Sequence, residues 1–116
     1  MQLTDFKLKK PPRFHIRVHQ PMPHWTYTEF NEVNGVKIHS KVIPNADLFL
    51  HFYGGKANIA DGYTGYSILV AETTVKARLL LGNKLRGKRY QNGGYEQNIL
   101  RVISEKGLSP RYEVKK

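Results

Sequence analysis

The sequence predicts an α+β domain: a mainly antiparallel sheet of four to five strands, followed by two helices packed on one face of the sheet. Three observations lead to this class. The first half of the chain has segments that alternate apolar and polar residues, as half-buried strands do. The second half has two segments with apolar residues at helical spacing. The chain has 116 residues, the length of one domain.

The domain is expected to begin after a short basic segment. Residues 1–12 end in two lysines and two prolines, and prolines lack amide donors and favour an extended chain. We therefore expect a flexible basic arm over residues 1–12 and a single α+β domain over residues 13–116. Strict alternation over residues 13–19 predicts the first strand.

The Asn34-Gly35 step predicts a tight turn between two alternating segments. Asn and Gly suit the positive φ angles that a type I′ turn requires at both central positions. A two-residue turn fixes the register of the flanking strands. We therefore expect a hairpin over residues 27–42, in which Val33 faces Val36.

The segment after this hairpin predicts a central strand and then a loop. Residues 48–53 are apolar on both faces except for His51, which we interpret as a core histidine. Residues 54–65 contain four glycines and little periodicity. A connection of this length is often functional or mobile. A further strand is expected over residues 66–71, and residues 110–116 are expected to form a frayed tail or a short edge strand.

Two helices are expected to complete the domain. Thr73 or Thr74 can cap the first helix, and its apolar face is predicted to be Val75, Leu79, Gly82 and Leu85. The second helix follows a run of glycines and is expected to stop at Gly107. Its apolar stripe is Tyr95, Ile99, Val102 and Ile103.

The charge of the chain predicts a polyanionic partner. The formal net charge is +10, beyond the range of about 2–8 that solubility requires of a small domain. Residues 76–116 hold eleven basic and only three acidic residues. Because clustered Lys and Arg release condensed counterions from phosphates, we expect DNA or RNA as the partner. An acidic protein or an anionic lipid is the other candidate.

The main phosphate contacts are expected over residues 76–89, where six cations occur without an acid. Two predicted strand faces add a basic platform if their strands are neighbours. One face carries Arg13, His15, Arg17 and His19. The other carries Lys37, His39 and Lys41, with Phe30 beside His39. Such a surface can bind phosphates and stack bases. The candidate nucleic-acid-binding residues are Lys76, Lys84, Arg86, Lys88, Arg89, Arg13, Arg17, Lys37, Lys41 and His39.

Several kinds of chemistry are excluded or disfavoured. The chain has no cysteine, which excludes disulfides, thiolate metal sites and cysteine nucleophiles. His15 and His19 on one strand would lie about 13 Å apart, too far to share a metal ion. No phosphate-binding loop or nucleophile-elbow motif occurs. We therefore expect a non-catalytic binder without metal or cofactor.

The sequence also bears on location. There is no run of about 18 apolar residues, as a membrane-spanning helix needs. Polar residues follow Met1, where a signal peptide would have an apolar stretch. A cytoplasmic protein without a membrane span is expected.

Two other functions remain open. One is a protein-interaction module or inhibitor, for example phage- or plasmid-encoded, that acts on a nucleic-acid-processing machine. The other is a metal-independent ribonuclease that uses two of His15, His19 and His39 as general acid and base. The ribonuclease requires the strand of His39 to lie next to the strand of His15 and His19.

Overall fold

The structure is a computed structural model that describes residues 1–21 and 26–115, with the backbone alone for residues 19–21 and 26–28. The described strands are β1 (Phe6–Leu8), β2 (Phe14–Pro21), β3 (Thr26–Val33), β4 (Val36–Ile38), β5 (Leu48–Tyr53), β6 (Lys56–Asp61), β7 (Ser67–Ala71) and β8 (Tyr112–Val114). The described helices are α1 (Thr74–Leu85) and α2 (Gly94–Lys106), with a short 3₁₀ turn at Leu3–Asp5.

The strands form three antiparallel sheets. The main sheet has the order β4-β5-β6-β7, and the pairs β2-β3 and β1-β8 are separate. Both helices follow the main sheet in sequence and contribute to one apolar core with it. The predicted α+β class is confirmed.

The core lies between the main sheet and the helices. Leu48 and Phe49 of the predicted central strand are fully buried, and they point to opposite faces because side chains alternate along a strand. Leu48 packs in the core with Leu81 of α1 and Ile99 of α2. Phe49 lies on the opposite face, where its ring stacks on Phe14 of β2 with centroids 4.5 Å apart.

The hairpin predicted at Asn34-Gly35 is wrong. Val33 pairs with Phe14 of β2, and Val36 pairs with Leu50 of β5, so the chain passes from one sheet to another here. The reason is that β2 offers β3 a partner along its whole length of 8 residues, whereas β4 has only 3. Gly35 is needed for space, because a Cβ there would lie 2.9 Å from two phenylalanine rings.

A tight hairpin turn with two positive φ angles lies at Gly54-Gly55 instead. Their φ angles are +60° and +75°, and Tyr53 pairs with Lys56 across them. Strand β6 then occupies half of the segment for which a loop was expected, so that prediction is wrong. The strand was missed because it is buried on both faces by small and polar residues such as Ala57 and Asn58, which give no alternation.

Helix α1 starts where the sequence predicts but turns a different face to the core. The Thr73 side chain accepts a hydrogen bond from the Lys76 amide at 3.1 Å and caps the helix. The buried residues are Ala77, Leu81 and Leu85. Val75 and Leu79 are 79% and 67% exposed, so the predicted apolar face is wrong for these two residues.

Helix α2 matches its prediction. Tyr95 and Ile99 are buried, and Val102 and Ile103 are half-buried. The helix ends at Gly107, whose φ of +98° is unfavourable for residues with a side chain.

Part of the N-terminal segment is packed onto the domain. Leu3 and Phe6 are buried, and β1 pairs with β8. The Phe6 ring also contacts Tyr63 at a centroid distance of 6.5 Å. Residues 9–12, which include both prolines, are exposed. Two isolated apolar residues give no periodic signal, so the sequence does not indicate this packing.

Candidate nucleic-acid interface

The six cations of residues 76–89 form what we call the basic segment: Lys76, Arg78, Lys84, Arg86, Lys88 and Arg89. They lie on α1 and on the turn that follows it, and all six are exposed. In the part of the chain that the structure describes, the ion pairs join other residues and none includes a member of the basic segment. The positive charge of this surface is therefore not neutralised within the fold.

The end of α1 is held by groups that leave most of these cations available. The Gln91 side chain donates a hydrogen bond to the Leu85 carbonyl, which would otherwise be unpaired at the helix end. Tyr90 is buried and anchors the turn. Lys84 donates to the Ile68 carbonyl at 2.6 Å, and an ammonium group has two further hydrogens to donate.

Two members of the basic segment meet a third cation around a cavity. Lys84 and Arg89 line a cavity of about 240 Å³ together with Arg101 of α2. We call this cavity the basic pocket. The Arg101 guanidinium donates to Glu105 at 3.2 Å and to Asn98 at 2.9 Å. Sequence reasoning missed Arg101 because a single cation on a helix gives no signal until packing brings α2 beside the end of α1.

A buried carboxylate also lines the basic pocket. Asp61 at the end of β6 accepts hydrogen bonds from the Tyr95 hydroxyl, and from the amide and hydroxyl of Thr64 at 2.8 Å each. Burial raises the pKa of Asp61 to about 6, although these hydrogen bonds oppose the shift. The contacts join α2 to the β6–β7 turn. The sequence shows this aspartate only as part of an Asp-Gly step.

Arg17, a candidate phosphate ligand, is bound within the fold. Its Nε donates to the Thr64 carbonyl at 2.7 Å, and its Nη2 donates to the carbonyls of Lys106 and Gly107 at 2.9 and 2.8 Å. Its guanidinium also lies 4.7 Å from the centroid of the Tyr66 ring. Arg17 therefore caps the C-terminus of α2, where a positive charge is favourable.

Lys37 is likewise part of an internal network. Its ammonium donates to Asp47 at 2.6 Å, and the same carboxylate accepts from Arg111 Nε at 2.7 Å and from the Tyr112 hydroxyl at 2.6 Å. Burial alone raises the pKa of Asp47. The hydrogen bonds from Arg111, Lys37 and Tyr112 outweigh it and hold the pKa below its ordinary value.

The other three predicted sheet residues do not form a platform. Arg13 is exposed and pairs with Glu32 at 2.9 Å. His39 and Lys41 are exposed but lie beyond the end of β4. Strand β2 pairs with β3 and β4 with β5, so the expected basic faces belong to different sheets.

The strand that precedes His39 does not lie next to the strand of His15 and His19, as the ribonuclease alternative requires. His39 follows β4, which is not paired with the strand of His15. The Nδ1 atom of His15 is buried without a hydrogen-bond partner, and burial lowers the pKa of this imidazole. The His19 side chain lies outside the described residues.

The described residues show neither a metal-binding cluster nor a membrane-spanning helix. Among residues 1–21 and 26–115, no group of three or more His, Asp or Glu side chains is arranged to hold a metal ion. In the same residues, neither helix has the length and apolar character needed to cross a bilayer.

Comparisons with protein-family models, with curated proteins and with solved structures find no match to this chain.

Proposed function

We propose that this protein is a small, non-catalytic nucleic-acid-binding protein that holds phosphates through the basic segment. The observation that carries this proposal is the set of six exposed cations without a carboxylate partner in the described structure. A phosphate backbone supplies closely spaced negative charges, and contacts to it are sequence-independent.

Stabilisation of α1 does not account for this charge. A helix C-terminus interacts favourably with cations only within its last turn. Lys84 lies in that turn, whereas Lys88 and Arg89 lie beyond the helix. The long-range field of the chain, with a net charge of +10, also favours encounter with a polyanion.

The proposal assigns different roles to the predicted residues. Lys76, Lys84, Arg86, Lys88 and Arg89 contact phosphates, together with Arg101 at the basic pocket, whose ion pair with Glu105 is exposed and therefore competes only weakly with a phosphate. His39 and Lys41 are exposed and are kept as additional phosphate contacts. Arg17 and Lys37 are left out because their donors are bound inside the fold.

The experiment is a binding titration with DNA and RNA, in single-stranded and duplex form, at several salt concentrations. The test variant replaces Lys84, Arg86, Lys88 and Arg89 by alanine. The matched control replaces four exposed lysines elsewhere, namely Lys9, Lys10, Lys106 and Lys115, and thus removes the same net charge. We expect the test variant to lose much more affinity than the control, and to a similar extent for all sequences. Equal losses in both variants would contradict the proposed site.

One observation favours the protein-interaction alternative. Val75 and Leu79 lie one turn apart on the outer face of α1 and are both exposed, between cations of the basic segment. An acidic protein with an apolar surface would complement this face. In that case, Val75→Ser with Leu79→Ser abolishes binding to the protein partner, whereas our proposal expects nucleic-acid binding to be unaffected by this pair of changes.

A further inference from the structure

A second cavity lies on the face of the main sheet that is turned away from the helices. It has a volume of about 270 Å³ and lies between β2 and the strands β5, β6 and β7. We call it the sheet recess. The lining residues used below are Ile16, Val18, His51, Tyr53, Asn58 and Ser67.

The sheet recess is formed by packing of the β2–β3 pair on only part of the sheet. At one end, the Phe14 ring of β2 stacks on Phe49 and covers it. Further along β2, the Arg17 amide donates to the Gly65 carbonyl at 3.1 Å and fixes the strand against the β6–β7 turn. The row of His51 and Asn58, which pair across β5 and β6, remains open to the cavity.

The polar groups of the sheet recess are suited to a neutral, planar ligand. His51 and Asn58 are 6% and 8% exposed. Within the described structure, the Asn58 side chain uses only its amide nitrogen, which donates to the Lys56 carbonyl at 3.2 Å, and no protein hydrogen bond engages the His51 imidazole, which contacts the Phe49 ring. Burial lowers the pKa of His51. A neutral imidazole has one donor and one acceptor, and the asparagine carbonyl adds an acceptor.

The walls and the mouth of the sheet recess are apolar or aromatic. Ile16 and Val18 line the β2 side, and the Tyr53 side chain, 71% exposed, stands at the mouth. Exposed tyrosines are stacking surfaces for nucleobases. The cation at this cavity, Arg17, has its donors bound to backbone carbonyls, so a phosphate is a poorer ligand here than a base.

The sheet recess and the basic pocket are neighbours. Ser67 lines both cavities. The two cavities therefore share a wall at β7, the edge strand of the main sheet, although they open on opposite faces of it. A base of a duplex must first be unstacked and unpaired before it can enter such a cavity, whereas a base of a single strand enters without that cost.

We propose that the sheet recess binds one unstacked nucleobase, and that single-stranded nucleic acid is the substrate class of the protein. This inference rests on the proposed function, because the basic segment supplies the phosphate contacts. His51 and Asn58 contact the polar edge of this base, and Tyr53 stacks against it at the mouth of the sheet recess.

The test compares two neighbouring exposed aromatic residues. Tyr53→Ala removes the stacking surface, and Phe52→Ala is the matched control, because Phe52 is 67% exposed on the same strand but points to the opposite face. The probes are single-stranded oligonucleotides of each base, as DNA and as RNA, and a DNA duplex of the same length. We expect Tyr53→Ala to weaken single-strand binding by roughly 5- to 150-fold, the effect of losing one stacked base. Phe52→Ala leaves it unchanged, and duplex binding changes in neither variant.

A second variant tests the polar contacts. Asn58→Leu keeps a side chain of similar size and removes the amide, so we expect it to reduce the differences in affinity among the four homopolymers. Thermal unfolding checks that this variant is folded. If it fails to fold, the Tyr53→Ala variant alone tests whether the sheet recess binds a base.

The outcomes separate the two proposals. The base site is overturned if the parent protein binds duplex as tightly as single strands, or if the Tyr53→Ala variant binds single strands as tightly as the parent. Neither result contradicts phosphate binding by the basic segment. A parent that binds no nucleic acid overturns both.

Discussion

The hydroxyl of Tyr95 on helix α2 donates a hydrogen bond to the carboxylate of Asp61 at the end of strand β6. Both residues are buried. The contact fixes α2, and with it Arg101, relative to the strand that precedes the β6–β7 turn. The position of one wall of the basic pocket therefore depends on this pair.

Tyr95→Phe is expected to destabilise the fold by about 1–3 kcal/mol, because it leaves a buried acceptor with one partner fewer. The measurement is urea unfolding at neutral pH. Unchanged stability would show that the hydroxyl makes no net contribution.

Asp61 gives the stability a specific pH dependence. Burial raises its pKa from an ordinary 3.8 to about 6. Between these values the unfolded chain has released the proton that the folded chain still holds, so the contribution of Asp61 to stability falls as the pH rises, by at most about 1.4 kcal/mol per pH unit. Asp61→Asn is expected to remove this slope between pH 4 and pH 6.

The readout for this variant is the difference in unfolding free energy between parent and variant across that pH range. A constant offset is expected as well, because one of the two carboxylate oxygens, which accept from Thr64 and from Tyr95, is replaced by a donor. Parallel pH profiles for parent and variant would contradict the assignment of the raised pKa to Asp61.

Gly35→Val and Gly82→Ala are expected to have opposite effects. A Cβ at Gly35 would lie 2.9 Å from the rings of Phe14 and Phe49, which are packed together, so Gly35→Val destabilises. A Cβ at Gly82 would lie 3.1 Å from the end of the Arg86 side chain, which can move. Because alanine favours a helix interior over glycine by up to about 1 kcal/mol, Gly82→Ala stabilises. Thermal unfolding of the two variants decides both expectations.

Two isoleucines on α2 differ in burial, so their replacement by alanine is expected to lower the free energy of unfolding by different amounts. Ile99 is buried and contacts the core, so Ile99→Ala is expected to cost about 2–5 kcal/mol. Ile103 is half-buried, and Ile103→Ala is expected to cost less. Urea unfolding is the measurement, and equal costs would mean that the burial of the two residues does not differ as described.

Local signals were sufficient for several elements of the fold. The Thr73 cap, the stripe of α2, the stop at Gly107 and the central strand β5 each follow from residues that are close in sequence. The hairpin at Asn34-Gly35 was predicted wrongly because turn chemistry does not reveal that β2 is a longer partner for β3. The exposed Val75 shows the same limit, since an apolar stripe does not identify the face that packs.

The candidate site was predicted in part. The basic segment follows from the charge pattern alone. The strand positions of Arg17 and Lys37 predict a solvent face, but Arg17 binds the end of α2 and Lys37 binds Asp47. The basic pocket and the sheet recess arise from contacts between distant segments, which a single sequence does not show.

The central claim is that the basic segment binds phosphates, and the most direct measurement is the slope of log affinity against log salt concentration on duplex DNA. The parent is compared with the variant in which Lys84, Arg86, Lys88 and Arg89 are alanine. We predict that the variant has a shallower slope than the parent. The difference is about 0.9 for each phosphate contact that is lost, for up to about four contacts. A variant with the slope and affinity of the parent would contradict the account.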